Sequence, residues 1–233
     1  MITTGAGISE VYGGTNGHDT IMAGSGQTFV ISQDNESVVG GTGQSIVYGG
    51  ANGGDTIQGG SAGDVMVAGG GSEQMLAGTG NDTMYAGTGS SLMVGSDTGA
   101  TLMVGGQVAI DFHGGAGQTT VFGSQGNDVM TAGSGSMLAV QGGGNNLFQF
   151  GSGDASVFSG SGTNTFAFTN GSGGGTDVII GFKAGQDQVS LSGFPSPAVT
   201  AQQVTGGSTV VTLTDGTNVV FSGVTTLAAG TFG

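Results

Sequence analysis

Large apolar residues return every nine positions along most of the chain. Ile21, Val30, Val39, Tyr48, Ile57, Met66, Met75, Met84 and Met93 form one unbroken series, which resumes after one inserted residue at Phe112, Val121, Met130, Ala139, Phe148, Val157 and Phe166. Between them lie glycine-rich segments such as Gly40-Gly41-Thr42-Gly43 and Ala77-Gly78-Thr79-Gly80. A period of nine matches neither an α-helix nor a heptad repeat. It fits a unit of about three extended and six turn residues, two of which close one coil of about eighteen residues. Each short strand then stacks in parallel on the strand one coil away, at about 4.8 Å, with its central residue turned inward. The expected fold is all-β: a right-handed parallel β-roll, or β-solenoid, of about eight coils and two short sheets, roughly 40 Å long.

The residues beside each inward position face outward, and the two sheets differ there. One carries Phe29, Ile31, Val47, Val65, Val67, Tyr85, Phe122, Leu138, Val140 and Phe158; the other carries Thr20, Thr56, Gln58, Gln74, His113, Thr131, Gln149 and Thr165 among fewer hydrophobic residues. An apolar sheet surface of that extent marks a contact surface. Two occupants are expected on equal terms: another copy of the chain or a cell-surface partner, and the chain's own C-terminal segment. Open solenoid ends offer a second route to assembly, by end-to-end stacking into a fibre.

The rhythm changes near residue 171, where glycine thins. Thr176 to Leu191 alternates like a strand, and Val210 to Phe221 reads as a hairpin around Asp215-Gly216. The organisation is thus an N-terminal edge (1–12), the degenerate nonapeptide roll (13–170) and a C-terminal antiparallel β cap (171–233).

Composition sharpens this picture. The chain has 233 residues, of which 55 are glycine, so an ordinary globular core is excluded; two prolines and no three-residue period exclude collagen. Fifteen acidic residues stand against one basic residue, Lys183, for a net charge of -14. Nucleic acid and anionic membranes require Lys/Arg footprints and are excluded as partners, whereas a cation is favoured. There is no cysteine to form a disulfide or thiolate site. The opening residues have neither a basic nor an apolar signal region, and no stretch is long and apolar enough to insert in a membrane.

The segments Gly14-Thr15-Asn16-Gly17-His18-Asp19-Thr20-Ile21, Gly50 to Ile57, Gly78 to Met84 and Gly123 to Met130, with Gly59 to Met66 as a fifth, follow the pattern G-G-x-G-x-D-x-U-x, where U is large and apolar. In this the chain resembles the repeats-in-toxin (RTX) family over roughly residues 13 to 170, although most repeats have lost the aspartate. The resemblance implies calcium held between the turns of consecutive coils by aspartates and backbone carbonyls, so that ligands should stand one coil apart. Asp64 with Asp82 meets that test on one edge and Asp55 with Glu73 on the other. Asp19 is expected to face Ser37, and Asp128 to face Asn146 and then Asn164. Most coils must hold together without metal, leaving calcium an auxiliary role. The pattern D-x-I-x-G-F-x-x-G-x-D, present from Asp177 to Asp187, resembles the terminal region of RTX proteins exported by type I secretion, and Leu227 to Gly233 resembles the uncleaved export signal. Secretion is the localisation this implies.

Catalysis would need a convergent set of groups. The chain has only His18 and His113, no arginine, and neither a His-Glu-x-x-His nor a Gly-x-Ser-x-Gly motif. The leading expectation is a non-enzymatic, secreted structural or matrix protein that responds to calcium and self-assembles. A calcium-binding adhesive module comes second, and a carboxylate-based polysaccharide enzyme is a distant third.

Overall fold

The computed structural model describes residues 1–228 and 230–232 and shows two sheets stacked as a parallel β-solenoid, with no helix among the described residues. Sheet A has eleven strands, running from Ile2–Thr3 through Thr20–Met22 and Ser37–Val39 to Thr165–Thr169 and Gln188–Ser192. Sheet B has thirteen strands, beginning Ser9–Tyr12, Thr28–Ile31 and Ser45–Tyr48. Successive strands of each sheet pair in parallel one coil apart, as in Met84 on Met66 and Met93 on Met75. The stack is therefore about ten coils, longer than the nonapeptide count suggests. Ile2–Thr3 and Ser9–Tyr12 add a coil below, and Thr176–Ile180 and Gln188–Ser192 add one above.

The core is one row of side chains from each sheet. Ile21, Ile57, Met75, Met93, Phe112, Met130, Phe148 and Phe166 fill it from sheet A, and Val30, Met66, Met84, Met103, Val121, Ala139 and Val157 from sheet B, all fully buried. Methionine suits such a narrow slot because its unbranched side chain adapts to irregular gaps. Towards the C-terminal end aromatic rings take over. Phe150 and Phe168 stack at 4.2 Å, and Phe182 meets Phe221 edge-on at 4.9 Å. Large residues there stand across from small ones: Phe148 and Phe166 share coils with Ala139 and Val157, which keeps the slot filled at constant width.

The nine-residue series is wrong at two places. Val39 and Tyr48 do not point inward; Val38 and Val47 do, at 1% and 2% exposure, while Tyr48 is 43% exposed. Val47 accordingly leaves the outward apolar set. The cause is a pair of compensating turn lengths. Five residues (32–36) separate the strands Thr28–Ile31 and Ser37–Val39, whereas seven (13–19 and 49–55) occupy the corresponding turns on either side. Ile21 therefore pairs with Val38, seventeen residues on, and Val38 with Ile57, nineteen on. The two shifts cancel, so a strict period of nine fits both ends and misplaces the middle.

The C-terminal segment continues the rod. Thr176–Ile180 pairs in parallel with Ala155–Phe158, and Asn218–Ser222 stacks on it in turn. Only then does the sheet become antiparallel, through the hairpin of Ser208–Leu213 with Asn218–Ser222 and the outermost strand Val199–Thr205. This meander extends sheet B at its end and does not fold over the sheet's outer surface. The segment Leu227 to Gly233 includes Ala229 and Gly233, which lie outside the described residues.

Candidate functional site

Two residues before each inward core residue, where the turn enters the strand, one side chain folds back under the turn. These positions form a ladder on each edge of the rod. On the edge leading into sheet A the rungs include Asp19, Glu36, Asp55, Glu73, Asp128, Asn146, Asn164 and Asp187; on the edge leading into sheet B they include Thr28, Ser45, Asp64, Asp82, Thr101 and Asp177. All six residues expected to bind calcium are rungs. Their pairing is as the spacing predicts for Asp64 with Asp82, for Asp55 with Glu73, and for Asp128 with Asn146 and Asn164. Asp19 departs from expectation: its neighbour one coil on is Glu36, because the short turn at 32–36 advances the register by one, and Ser37 instead donates its backbone N–H to the Asp19 carbonyl. Glu36 was missed for the same reason.

Asp55, Asp64, Asp82 and Asp128 share one geometry, whereas Asp19 accepts the Gly14 N–H of its own turn and Asp177 the Ala155 N–H of the coil before. In those four, one carboxylate oxygen accepts an N–H from the residue's own turn, and the other accepts the N–H of the matching residue in the coil before. For Asp82 the donors are Gly78 at 2.7 Å and Asp64 at 2.8 Å; for Asp64 they are Gly60 at 2.5 Å and Ser45 at 2.6 Å. Asp55 accepts from Gly50 and Glu36, both at 2.7 Å. Asp128 accepts from Ser124 N–H at 2.6 Å and Ile110 N–H at 2.9 Å, and from the Ser124 hydroxyl. Each bridge satisfies two backbone donors that a turn stacked on a turn would otherwise bury unpaired. Asp187 repeats the pattern with Lys183 and Asn164 N–H groups at 2.9 Å, so the C-terminal D-x-I-x-G-F-x-x-G-x-D segment supplies rungs to both edges.

Asparagine rungs match a different turn. Asn146 Oδ1 accepts the Asp128 N–H at 2.8 Å, while its Nδ2 donates to the Gly143 carbonyl at 3.0 Å; Asn164 accepts from Asn146 and donates to the Ser161 carbonyl. Those turns contain Gly144 and Gly162 at φ +73° and +80°. They present a carbonyl where the aspartate turns present an N–H, and the amide supplies the donor that a carboxylate lacks.

The glutamate rungs are incomplete. Glu73 Oε1 accepts the Gly69 N–H at 2.7 Å, but Oε2 is buried with no partner, and its carboxylate fills the space where Gly49 has no Cβ. Glu36 Oε2 accepts from Ser32 and Gln33 of its own turn, and Oε1 is likewise buried and unpaired. Each glutamate accepts hydrogen bonds only from its own turn while its carboxylate packs against a glycine of the coil before, Gly13 for Glu36 and Gly49 for Glu73, so neither accepts an N–H from that coil. Asp55 lies between them on the ladder. Burial, reinforced by the charges of Asp55 and Asp34, pushes the Glu73 carboxyl up to about 7. Asp177, whose Oδ2 is also unpaired, is pushed up to about 7 by burial and then by Asp154. Burial raises Asp64 and Asp82 as well, against the pull of their N–H donors. The single lysine is remote from the glutamates, donating to the Gly160 carbonyl at 2.8 Å.

Uncompensated buried carboxylate oxygens require a proton or a cation. No three His, Asp or Glu side chains converge as a cage among the described residues, so a metal here would draw the rest of its ligands from turn carbonyls. Hard oxygen donors of this kind fit calcium. The fit differs along the ladders: Asp64, Asp82 and Asp128 already accept N–H groups on both oxygens, whereas Glu36 and Glu73 each keep one oxygen open on either side of Asp55. Neither histidine joins a site, His18 being a left-handed turn residue at φ 62° and His113 an outward residue beside Asp111.

A family model described as the RTX calcium-binding nonapeptide repeat (4 copies) matches residues 13–27, 31–52, 50–84, 67–96 and 112–136. A search of curated proteins finds no significant match. Stacked coils, glycine-rich turns and these matches together fit a β-roll protein of RTX repeats, which are calcium-binding repeats typical of secreted proteins.

Proposed function

We propose that this chain is a non-enzymatic, secreted structural rod whose apolar sheet B surface mediates self-assembly into an extracellular layer or fibre, with calcium as an auxiliary ligand. The observation that carries the reading is the uncovered face: Tyr48, Tyr85, Phe122, Leu138 and Phe158 are each at least 40% exposed on one side of one sheet. The antiparallel meander that would have hidden them lies at the end of the sheet. Secretion is supported by the repeat family and by the resemblance of the Asp177 to Asp187 segment to type I export regions.

Calcium would be held at the open oxygens of Glu36 and Glu73, each with neighbouring turn carbonyls. There it supplies positive charge to carboxylates that otherwise repel one another along the edge. The protein's own residues do the rest: the aspartate rungs tie coil to coil whether or not the ion is bound, and the outer face remains available. Because the chain is strongly acidic, neutralising its edges also lowers repulsion between copies. Negative-stain imaging of the purified chain tests this directly. Ordered assemblies in calcium that shrink in chelator are expected; monodisperse single rods under both conditions overturn the assembly reading.

A further inference from the structure

The outward row that follows the core residues of sheet B alternates in size with a period of two coils. Tyr12, Tyr48, Tyr85, Phe122 and Phe158 occupy every second coil, and each coil between them carries valine or isoleucine. The row on the other side of the core residue keeps the same period over its middle coils in opposite phase. It sets Thr83, Thr120 and Ser156 beside the aromatics, and Leu102 and Leu138 beside the valines. Ridges therefore recur about every 9.6 Å with shallow gaps between them. From Phe29 to Ile180 no outward position of sheet B is charged.

Resting on the self-assembly reading above, we infer that the occupant of this face is a second copy of the same chain, docked sheet B against sheet B and displaced by one coil. In that register the aromatics of each copy enter the gaps over the other's valines and isoleucines. A repeat of ridge and gap is complementary to itself, which is what an isologous contact requires. Between Phe29 and Ile180 the carboxylates lie on the edges, outside the contact, so two acidic chains meet there without apposing charge. The nine overlapping coils, about 43 Å long, and a strand width of about 12 Å give roughly 500 Å² per copy, about 1,000 Å² in total, the size a well-fitted interface must clear.

Filling the gaps separates interdigitation from general stickiness. Val104→Phe and Val140→Phe add apolar surface yet remove the gaps. Sedimentation velocity in calcium should show self-association weakened about tenfold in each, equivalent to about 1.4 kcal/mol, within the cost of overpacking a fitted contact. The exchange Tyr85→Val with Val104→Tyr keeps composition constant and shifts the phase; it should weaken association similarly, with circular dichroism unchanged from wild type. Association as strong as wild type or stronger in these variants overturns the interdigitated register while leaving self-assembly standing. A wild-type chain that stays monomeric, or whose face binds a polysaccharide instead, overturns both.

Discussion

Aspartate and glutamate rungs occupy the same position on the same edge, yet they do different work. Asp55 accepts N–H groups from its own turn and from the coil before and uses both oxygens; Glu73, one coil on, accepts only from its own turn and leaves an oxygen buried and bare against the coil before. One methylene decides between a coil-to-coil tie and an unsatisfied charge. The lesson is that an acid recurring at the same place in glycine-rich turns has two separable roles. As an acceptor for stacked backbone N–H groups it holds the solenoid together without an ion, and as an uncompensated charge it creates a demand for one. In this chain the first role falls on Asp55, Asp64, Asp82 and Asp128, and the second on Glu36 and Glu73 on one edge and on Asp177 near the C-terminal end of the other.

Breaking an aspartate rung should have the largest effect. Asp82→Ala leaves the Asp64 and Gly78 N–H groups buried without an acceptor, which costs about 2–4 kcal/mol for the pair. Denaturant unfolding should show this loss equally with calcium and with chelator. A loss that appears only in calcium would make Asp82 a metal ligand first.

Neutralising the glutamate rungs should do the opposite, and more gently. Glu36→Gln with Glu73→Gln removes charge without breaking a tie between coils, so the chelated variant at pH 8 should gain about 1 kcal/mol over wild type. Titration calorimetry should show most of the calcium heat gone. An unchanged calcium isotherm would move the ion to another edge.

Much of this architecture is legible from the residues alone. The apolar period fixes the stacked coils, and Met66 over Met84 follows from counting. What escapes is local and has physical causes. Turns one residue short and one residue long cancel in a fixed period, which hid Val38 and Val47 as core and Glu36 as a rung, and placed Tyr48 inside. With Tyr48 misplaced, the two-coil alternation on the outer face loses one of its five aromatics. Nor does the sequence distinguish an aspartate that ligates an ion from one that bonds turn N–H groups, because both uses favour the same residue in the same glycine-rich turn. Only the direction of the turn peptide separates them, and it also explains why Asn146 and Asn164 replace aspartate where a carbonyl faces inward.

The central claim is that the rod folds on backbone stacking and filled rungs, with buried glutamate as its ion-sensitive weakness. Its most direct test is the thermal stability of the chelated chain, followed by circular dichroism from pH 4 to 8. Glu73 and Asp177 are raised from 4.5 and 3.8 to about 7, so the folded chain holds their protons more tightly than the unfolded chain does. Their contribution is full below about pH 4 and disappears as pH rises through about 7. The account predicts β-structure throughout without calcium, a melting temperature falling by several degrees between pH 4 and 8, and recovery of much of that fall when calcium is restored. A chain that is unstructured in chelator at pH 5, or a melting temperature that rises with pH across this window, would contradict it.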